Sequence, residues 1–595
     1  MLKIGKLNRF YKIAGVFLFT LLAVFLLGNF VLAADAPNVG LSYAEGTGLS
    51  NSQDIRVIIA KIIRIVIGFL GIIAVGLIIY AGWLWMTSGG NEEKVEQAKK
   101  TLTNAVIGLI IIIASFAIAS FILNKLIAAT GGDMANAPGG GTGGGVAALG
   151  SGIIESHYPE RNQKDIPRNT KIAITFKEAI DPTTIITDGK INKDNIKIYK
   201  TEDGVDGAVT FDVIAMKTDD NKTFVFKPTE YLGSPTEKIW YSVALGKNIK
   251  KATGDLAFGA IVGAIAYDWM FEVGTFIDTT PPKVESVIPQ PSSTEPRNVV
   301  VQINFSEAVD PIAASGKVEI DQENCDNQEC TTGKKLKIGT FDNIQLSFDN
   351  SAVEHYIAGN FYISNQYKTV EFLTFDACGT NSCGQTIYCL PGDKQIKAFI
   401  NAATFDPNTA SAIFPYDGVV DMADNSFDGN ANGTAQGSQA QSSLPPFNAN
   451  SQTHEGEGDD YFWLFNTNNT IDITPPKIED VSPDIGISQV NLLAIPEATF
   501  SKYIMAKTLN STSINFKSSG ASYNYWITKI NNDTDKKTTA YINHDQFNED
   551  TNYAVQLTSG IQDQYQNCYT PCSGLGVDGT PSCCNGSPSG QASCQ

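Results

Sequence analysis

The chain has 595 residues, with 43 Lys+Arg against 62 Asp+Glu for a net charge of −19, and 10 Cys. That length calls for several domains, and the acidic balance excludes nucleic acid as a partner, because phosphate contact needs a basic surface. The charge is unevenly divided: residues 1–130 hold 11 Lys+Arg and 6 Asp+Glu, net +5, so the remainder holds 32 and 56, net −24.

In chain order, residues 1–33 carry Lys3, Lys6, Arg9 and Lys12, then an apolar run over 13–27, then Val31-Leu32-Ala33. This reads as a secretory signal cut after Ala33. A short segment over 34–64 follows, whose Arg56, Lys61 and Arg64 snorkel to headgroups from an amphipathic helix at the membrane surface. Residues 65–86 and 105–123 contain no charge, and each run is long enough to cross a bilayer core of ~30 Å at 1.5 Å per residue. Together, 65–130 are expected to form a two-helix transmembrane hairpin. Tyr80, Trp83 and Trp85 end the first span at headgroup level. The loop over 87–104, with Gly89-Gly90 and then Glu92, Glu93, Lys94, Glu96, Lys99 and Lys100, is a turn and a short charged helix on the cytoplasmic side. Everything beyond Leu123 is then extracytoplasmic, attached to a multi-pass anchor in the cytoplasmic membrane.

Residues 131–152, with two Gly triplets at 139–141 and 143–145, form a flexible linker whose root-mean-square reach is roughly 26 Å. Internal repeats follow. Pro167-Arg168-Asn169 leads through Ile172, Ile174 and Phe176 to Glu178-Ala179-Ile180-Asp181-Pro182. Pro296-Arg297-Asn298 leads through Val301, Ile303 and Phe305 to Glu307-Ala308-Val309-Asp310-Pro311, at a constant offset of 129. Ile277-Asp278-Thr279-Thr280-Pro281-Pro282 recurs as Ile471-Asp472-Ile473-Thr474-Pro475-Pro476. Three units result, over 153–277, 278–471 with insertions, and 472–566. The third is degenerate, with Phe500-Ser501-Lys502-Tyr503 where the others have Phe, a residue, Glu and Ala. Alternation such as Ile172, Ile174, Phe176, or Tyr241, Val243, Leu245, or Tyr553, Val555, Leu557 predicts strands with one buried face. Short strands broken by Gly, Pro, Asn and Asp predict antiparallel β-sandwiches. The paired prolines deny ladder donors and end each sheet at its unit boundary.

On these residues, 153–566 resembles the bacterial Ig-like domains of S-layer and surface proteins, which implies an Ig-like sandwich that spaces or binds. The hairpin, with Tyr80-Ala81-Gly82-Trp83 before Gly89-Gly90-Asn91-Glu92-Glu93-Lys94, resembles the small pilin of type IV secretion systems over about 50–130. That resemblance implies polymerisation, but the chain continues far past the second span, where such pilins end. The fold class is therefore mainly β: tandem Ig-like antiparallel β-sandwiches attached to an α-helical transmembrane hairpin.

Candidate chemistry is sparse. Glu178 with Asp181, and Glu307 with Asp310, read as acid/base pairs or cation ligands, or as N-caps, since each Asp precedes a Pro suited to a first helical position. Asp428-Gly429-Asn430-Ala431-Asn432-Gly433, preceded by Asp421 and Asp424, matches the first half of a calcium loop. Gln439 stands at position 12, and Asp459 and Asp460 are the carboxylates expected to complete the site. An Asn/Gly turn fits the same residues. The cysteines fall into Cys325, Cys330, Cys378, Cys383 and Cys389, then Cys568, Cys572, Cys583, Cys584 and Cys594 in a Cys-rich tail over 567–595. All lie on the expected outer side, so disulfides are expected rather than zinc. Each group is odd, so one bond joins the groups or each leaves a free thiol. Cys325–Cys330 and Cys378–Cys383 would close small local loops. The four histidines are isolated and no nucleophile, phosphate-loop or metalloprotease motif occurs, so no enzyme activity is expected. The expected protein is a membrane-anchored bacterial surface protein with an Ig-like stalk acting in surface structure or adhesion toward an unidentified extracellular ligand. The rival is a pilin-like subunit, meeting its own copies through the hairpin or meeting secretion-system components.

Overall fold

The computed structural model describes residues 99–100, 148–261, 264–321, 334–350, 353–406, 411–438, 458–518, 523–571, 583–584 and 587–588. The expected signal, both spans and the Gly-rich part of the linker lie outside these residues. Among the described residues no helix is long and apolar enough to cross a membrane. Lys99 and Lys100 are helical and exposed.

Each of the three units builds two sheets around its own core. In the first, a six-stranded sheet includes Ile154–Tyr158, Ile172–Phe176, Thr223–Pro228 and Val213–Lys217 in that spatial order. It faces a three-stranded sheet of Ile196–Lys200, Ile239–Gly246 and Ile265–Val273. The second unit repeats this with Val284–Ile288, Val301–Phe305 and Thr369–Thr374 on one side, and with Ile344–Asn350, Gln395–Ile400 and Tyr461–Asn468 on the other. Pairing between strands is antiparallel, save for Thr294–Pro296 against Tyr461–Asn468. Ile172, Ile174 and Phe176 enter the first core, and their repeats Val301, Ile303 and Phe305 enter the second. The indoles of Trp269 and Trp463 donate Nε1–H to the carbonyls of Pro159 and Pro289 at 3.1 and 3.0 Å, so the repeat extends to buried polar detail. Among the described residues no sheet crosses a unit boundary.

The third unit has the sheet Ile478–Ser482, Glu497–Phe500, Lys537–His544 and Tyr525–Asn532, facing only Ile514–Ser518 and Tyr553–Leu557 among the described residues. Tyr241, Val243 and Leu245 of the first unit are buried, but Val555 in the matching strand is 38% exposed; among the described residues its strand is paired on one edge only, by Ile514–Ser518, where the first unit's strand is paired on both. The third core runs on through Tyr569, and Cys568 beside it is fully buried.

An end-to-end stalk is corrected by the packing, because all three units touch one another. Between the first and second, Ala173 and Val225 on the outer sheet face pack with Ala308, Tyr367 and Met422. Between the second and third, the buried Glu371 carboxylate accepts from the backbone N–H groups of Ala506 and Lys507 at 2.6 and 2.9 Å, while Lys529 Nζ donates to Gln302 Oε1 at 2.7 Å. Burial pushes Glu371 up and Lys529 down to about 8, so both groups are drawn toward neutrality where water is excluded. Between the third and first, Glu155 accepts from Ser511 N–H and Oγ–H at 3.0 and 2.6 Å, Tyr525 N–H donates to Leu149 O at 3.2 Å, and Trp526 packs on the first core. Gly150 makes that approach possible: its φ is +73°, and a Cβ there would run into the Tyr525 backbone. Residues 148–152 therefore belong to the packed body and not to a free tether.

The cysteine pairing also differs from the local loops expected. Cys378 bonds Cys389, and Cys383 bonds Cys568, which overturns Cys378–Cys383 and gives a bond that joins the two groups. The pairing follows from a hairpin, Ala377–Thr380 with Thr386–Tyr388, whose turn lies over the third unit. There Asn381 Nδ2 donates to Gln566 O at 2.8 Å. Cys325, Cys330, Cys572 and Cys594 lie outside the described residues, as do the side chains of Cys583 and Cys584.

Candidate functional site

Both Asp-Pro pairs resolve as caps. Asp181 Oδ1 accepts from Thr183 N–H at 3.0 Å ahead of the short 3-10 turn Pro182–Thr184, and Asp310 Oδ1 accepts from Ile312 N–H at 2.8 Å ahead of Pro311–Ala314. Asp310 does more than cap. Its other oxygen receives Lys171 Nζ at 2.6 Å, and the same ammonium lies 2.8 Å from Asp424 and over the Tyr416 ring. Lys227 reaches Asp424 from the far side at 2.7 Å. Burial pushes the Asp424 carboxyl up, but the two ammonium groups outweigh burial and hold it at about 2. Lys171 is wholly buried, and burial acts to lower it, yet Asp310 and Asp424 keep it well above its ordinary value. This is a buried ion-pair network that docks the first unit on the second.

The expected calcium loop is not gathered around one point. Asp424 is held by the two lysines. Asp428 accepts from Asn432 and Gly433 N–H at 3.2 and 2.7 Å, Asn430 Oδ1 accepts from Asn432 N–H, and Asn432 Oδ1 accepts from Thr434 N–H. These are Asn/Asp turns closing the loop on itself. Asp459 Oδ2 accepts from Gln436 and Gly437 N–H, and Asp460 accepts from Ala402 N–H and Ser438 Oγ–H. Asp459 Oδ1 is buried with no hydrogen bond.

The carboxylates that do converge are Asp278, Glu307 and Asp421, with an oxygen of each within 4.8 Å of the others. Three segments bring them together: Asp278 begins the inter-unit strap, Glu307 lies two residues beyond the strand Val301–Phe305, and Asp421 sits on a return loop bridged to Val309. They lie beside a cleft of about 420 Å³, lined among others by Asp278, Thr280, Ser306, Glu307 and Asp428. Asp421 is 1% exposed and accepts from Ala423 and Asn425 N–H at 2.7 and 2.8 Å. Burial, then repulsion from Asp421 and Asp278, raises Glu307 to about 8, with Lys368 opposing. Burial raises Asp421 to about 7 despite its Asn425 partners. Among the described residues none of the three carboxylates is in an ion pair. Sequence reasoning named Glu307 and Asp421 separately and Asp278 only as a repeat marker. The available signal was the Lys at 502 in the repeat position of Glu307.

The junction is itself repeated. Asn169 Nδ2 donates to Asp278 O and Ala423 O, and Asn298 Nδ2 to Asp472 O and Tyr565 O. Each Asn Oδ1 accepts from the N–H of that Asp, at 2.9 and 3.0 Å.

Residues 153–273 and 472–573 match the family model for the bacterial Ig-like domain, and residues 52–122 match that for the type IV secretion system pilin. No curated protein matches. The S-layer protein rSbsC aligns at 11% identity over 82% of this chain and 62% of its own, with a TM-score of 0.16. The human Desmocollin-1 ectodomain aligns at 10% identity over 68% of this chain and 57% of its own, with a TM-score of 0.13. The chain thus spans about 62% of the S-layer structure it aligns with. The chain carries bacterial Ig-like domains at 153–273 and 472–573 and, ahead of them, a region of type IV secretion system pilin type at 52–122.

Proposed function

We propose that the chain is a membrane-anchored bacterial surface protein that presents a compact three-unit Ig-like head outside the cytoplasmic membrane. The observation that carries this reading is the Cys383–Cys568 bond. It staples two units of the acidic head, which fits an oxidising compartment beyond the charge-free runs at 65–86 and 105–123. The head acts in surface structure or adhesion, through loops on a rigid scaffold and without catalysis. The pilin match at 52–122 favours a second reading, a pilin-like subunit whose hairpin packs with its own copies and carries the head as a coat. Electron cryo-tomography of native envelopes with an antibody against 153–566 separates the two. Label scattered over the cell surface supports the anchored protein, label in rows along thin filaments supports the pilin, and label confined to the cytoplasm sinks both.

A further inference from the structure

One pair of positions is structurally equivalent in all three units. An isolated antiparallel bridge joins Ile180 to Lys251, Val309 to Asp421 and Ile504 to Asp563, and two residues before each first partner stand Glu178, Glu307 and Lys502. In the first unit the pair is Glu178 with Lys251, at 2.7 Å. In the third the charges are exchanged, Lys502 with Asp563 at 3.1 Å. In the second unit both positions are acidic, Glu307 and Asp421. A cation occupies one of the two positions in the first and third units, and neither position in the second.

The second junction shows where that cation belongs. Lys502 Nζ is held by Asp472 Oδ2 at 3.1 Å, Asp563 Oδ2 at 3.1 Å and the Thr474 carbonyl at 2.7 Å. Through the repeat, those oxygens correspond to Asp278, Asp421 and the carbonyl of Thr280, which also lines the cleft. The first junction therefore keeps the three oxygen positions that hold an ammonium at the second, and replaces the ammonium with a fourth oxygen donor. Glu307 receives no hydrogen bond among the described residues. We propose that this junction binds a hard divalent cation of the calcium class, held by Asp278, Glu307 and Asp421 with the Thr280 carbonyl. Carboxylate and carbonyl oxygens without nitrogen or sulfur suit such an ion, and the open cleft leaves room for water to complete its shell. The ion would tie the inter-unit strap, through Asp278, to the body of the second unit.

The test uses the full-length chain in detergent, stripped with EDTA, with melting followed during calcium chloride titration. The expected result is a rise in melting midpoint that saturates at a dissociation constant on the order of 10⁻⁴–10⁻³ M, as for extracellular modules. Glu307→Lys copies the third unit and supplies its own ammonium. It should melt in EDTA no lower than the stripped parent and show no calcium response. Glu307→Gln should weaken binding at least ~10-fold, and Asp459→Asn, outside the trio, should leave it unchanged. No shift in the parent up to several millimolar calcium, or a full calcium response retained in Glu307→Lys, overturns the proposal. So does a response abolished by Asp459→Asn and kept by Glu307→Gln, which would place the ion in the 428–460 loop.

Discussion

Lys171 is the residue on which the first junction turns. It is fully buried between Asp310 and Asp424, and truncating one partner of such a network leaves uncompensated charge in a dry site. Lys171→Ala is expected to lower unfolding stability by about 3–5 kcal/mol in urea titrations, while breaking the exposed Lys190–Asp212 pair should change it far less. The same network fixes an acid limit. With Asp424 held at about 2 among Lys171, Lys227, Asp310 and Tyr416, its contribution is fully present above the ordinary carboxylate value and is lost as pH falls from about 4 to 2. His157 adds an earlier loss. Burial lowers it to about 3, so the unfolded chain takes up the proton first, and stability declines as pH falls below about 6.5. Its neutral ring has its two nitrogens at 2.8 Å from Pro159 O and 3.0 Å from Tyr267 Oη, stacked on Trp269. Glu307 and Asp421, raised to about 8 and 7, gain stability over the same fall in pH, so the His157 loss is read as the difference in urea midpoint between the parent and His157→Gln, and a difference that stays flat from pH 7 to pH 3 would contradict it.

At the scale of elements, what could be read from the chain was what repeats along it. The offset of 129 identified equivalent strands because Ile172, Ile174 and Phe176 and their counterparts fill the same core positions. Asp-Pro marked the caps because both halves of that device are adjacent in sequence. What could not be read is what the fold brings together from afar. Cys383 and Cys568 are 185 residues apart, and Asp278, Glu307 and Asp421 arrive on three segments. Spacing favoured short loops, but the hairpin turn at Asn381 carries Cys383 away from Cys378 and onto the third unit. Peptide mapping of the unreduced chain should therefore recover a 383–568 cross-link and a 378–389 cross-link. Cys568→Ser should lower stability by roughly 2–4 kcal/mol, the range for closing a long loop in the unfolded chain, and should loosen the third unit's hydrogen-exchange protection before the first unit's.

For the whole molecule, the decisive residues are those on sheet faces that a stalk would leave wet. Ala173, Gln302 and Glu371 are all 0% exposed, although their strands also bury a core face on the other side. Alternation shows that one face of a strand is buried and is silent on whether a neighbouring unit covers the other. Because each unit contacts both others, the head should behave as one body and not as three beads. For residues 132–595 released from the hairpin, small-angle scattering should give a radius of gyration near ~23 Å, the value for one compact body of that length. Three separate sandwiches of ~14 Å each, set end to end, would give a clearly larger radius and a distance distribution with more than one maximum. Gly150→Val forces a side chain into the Tyr525 backbone at the contact that closes the ring of units. Its scattering should shift toward the extended form while the sandwiches keep their β-sheet circular dichroism. An unchanged radius in that variant would mean that the contacts of the second unit alone hold the first and third in place.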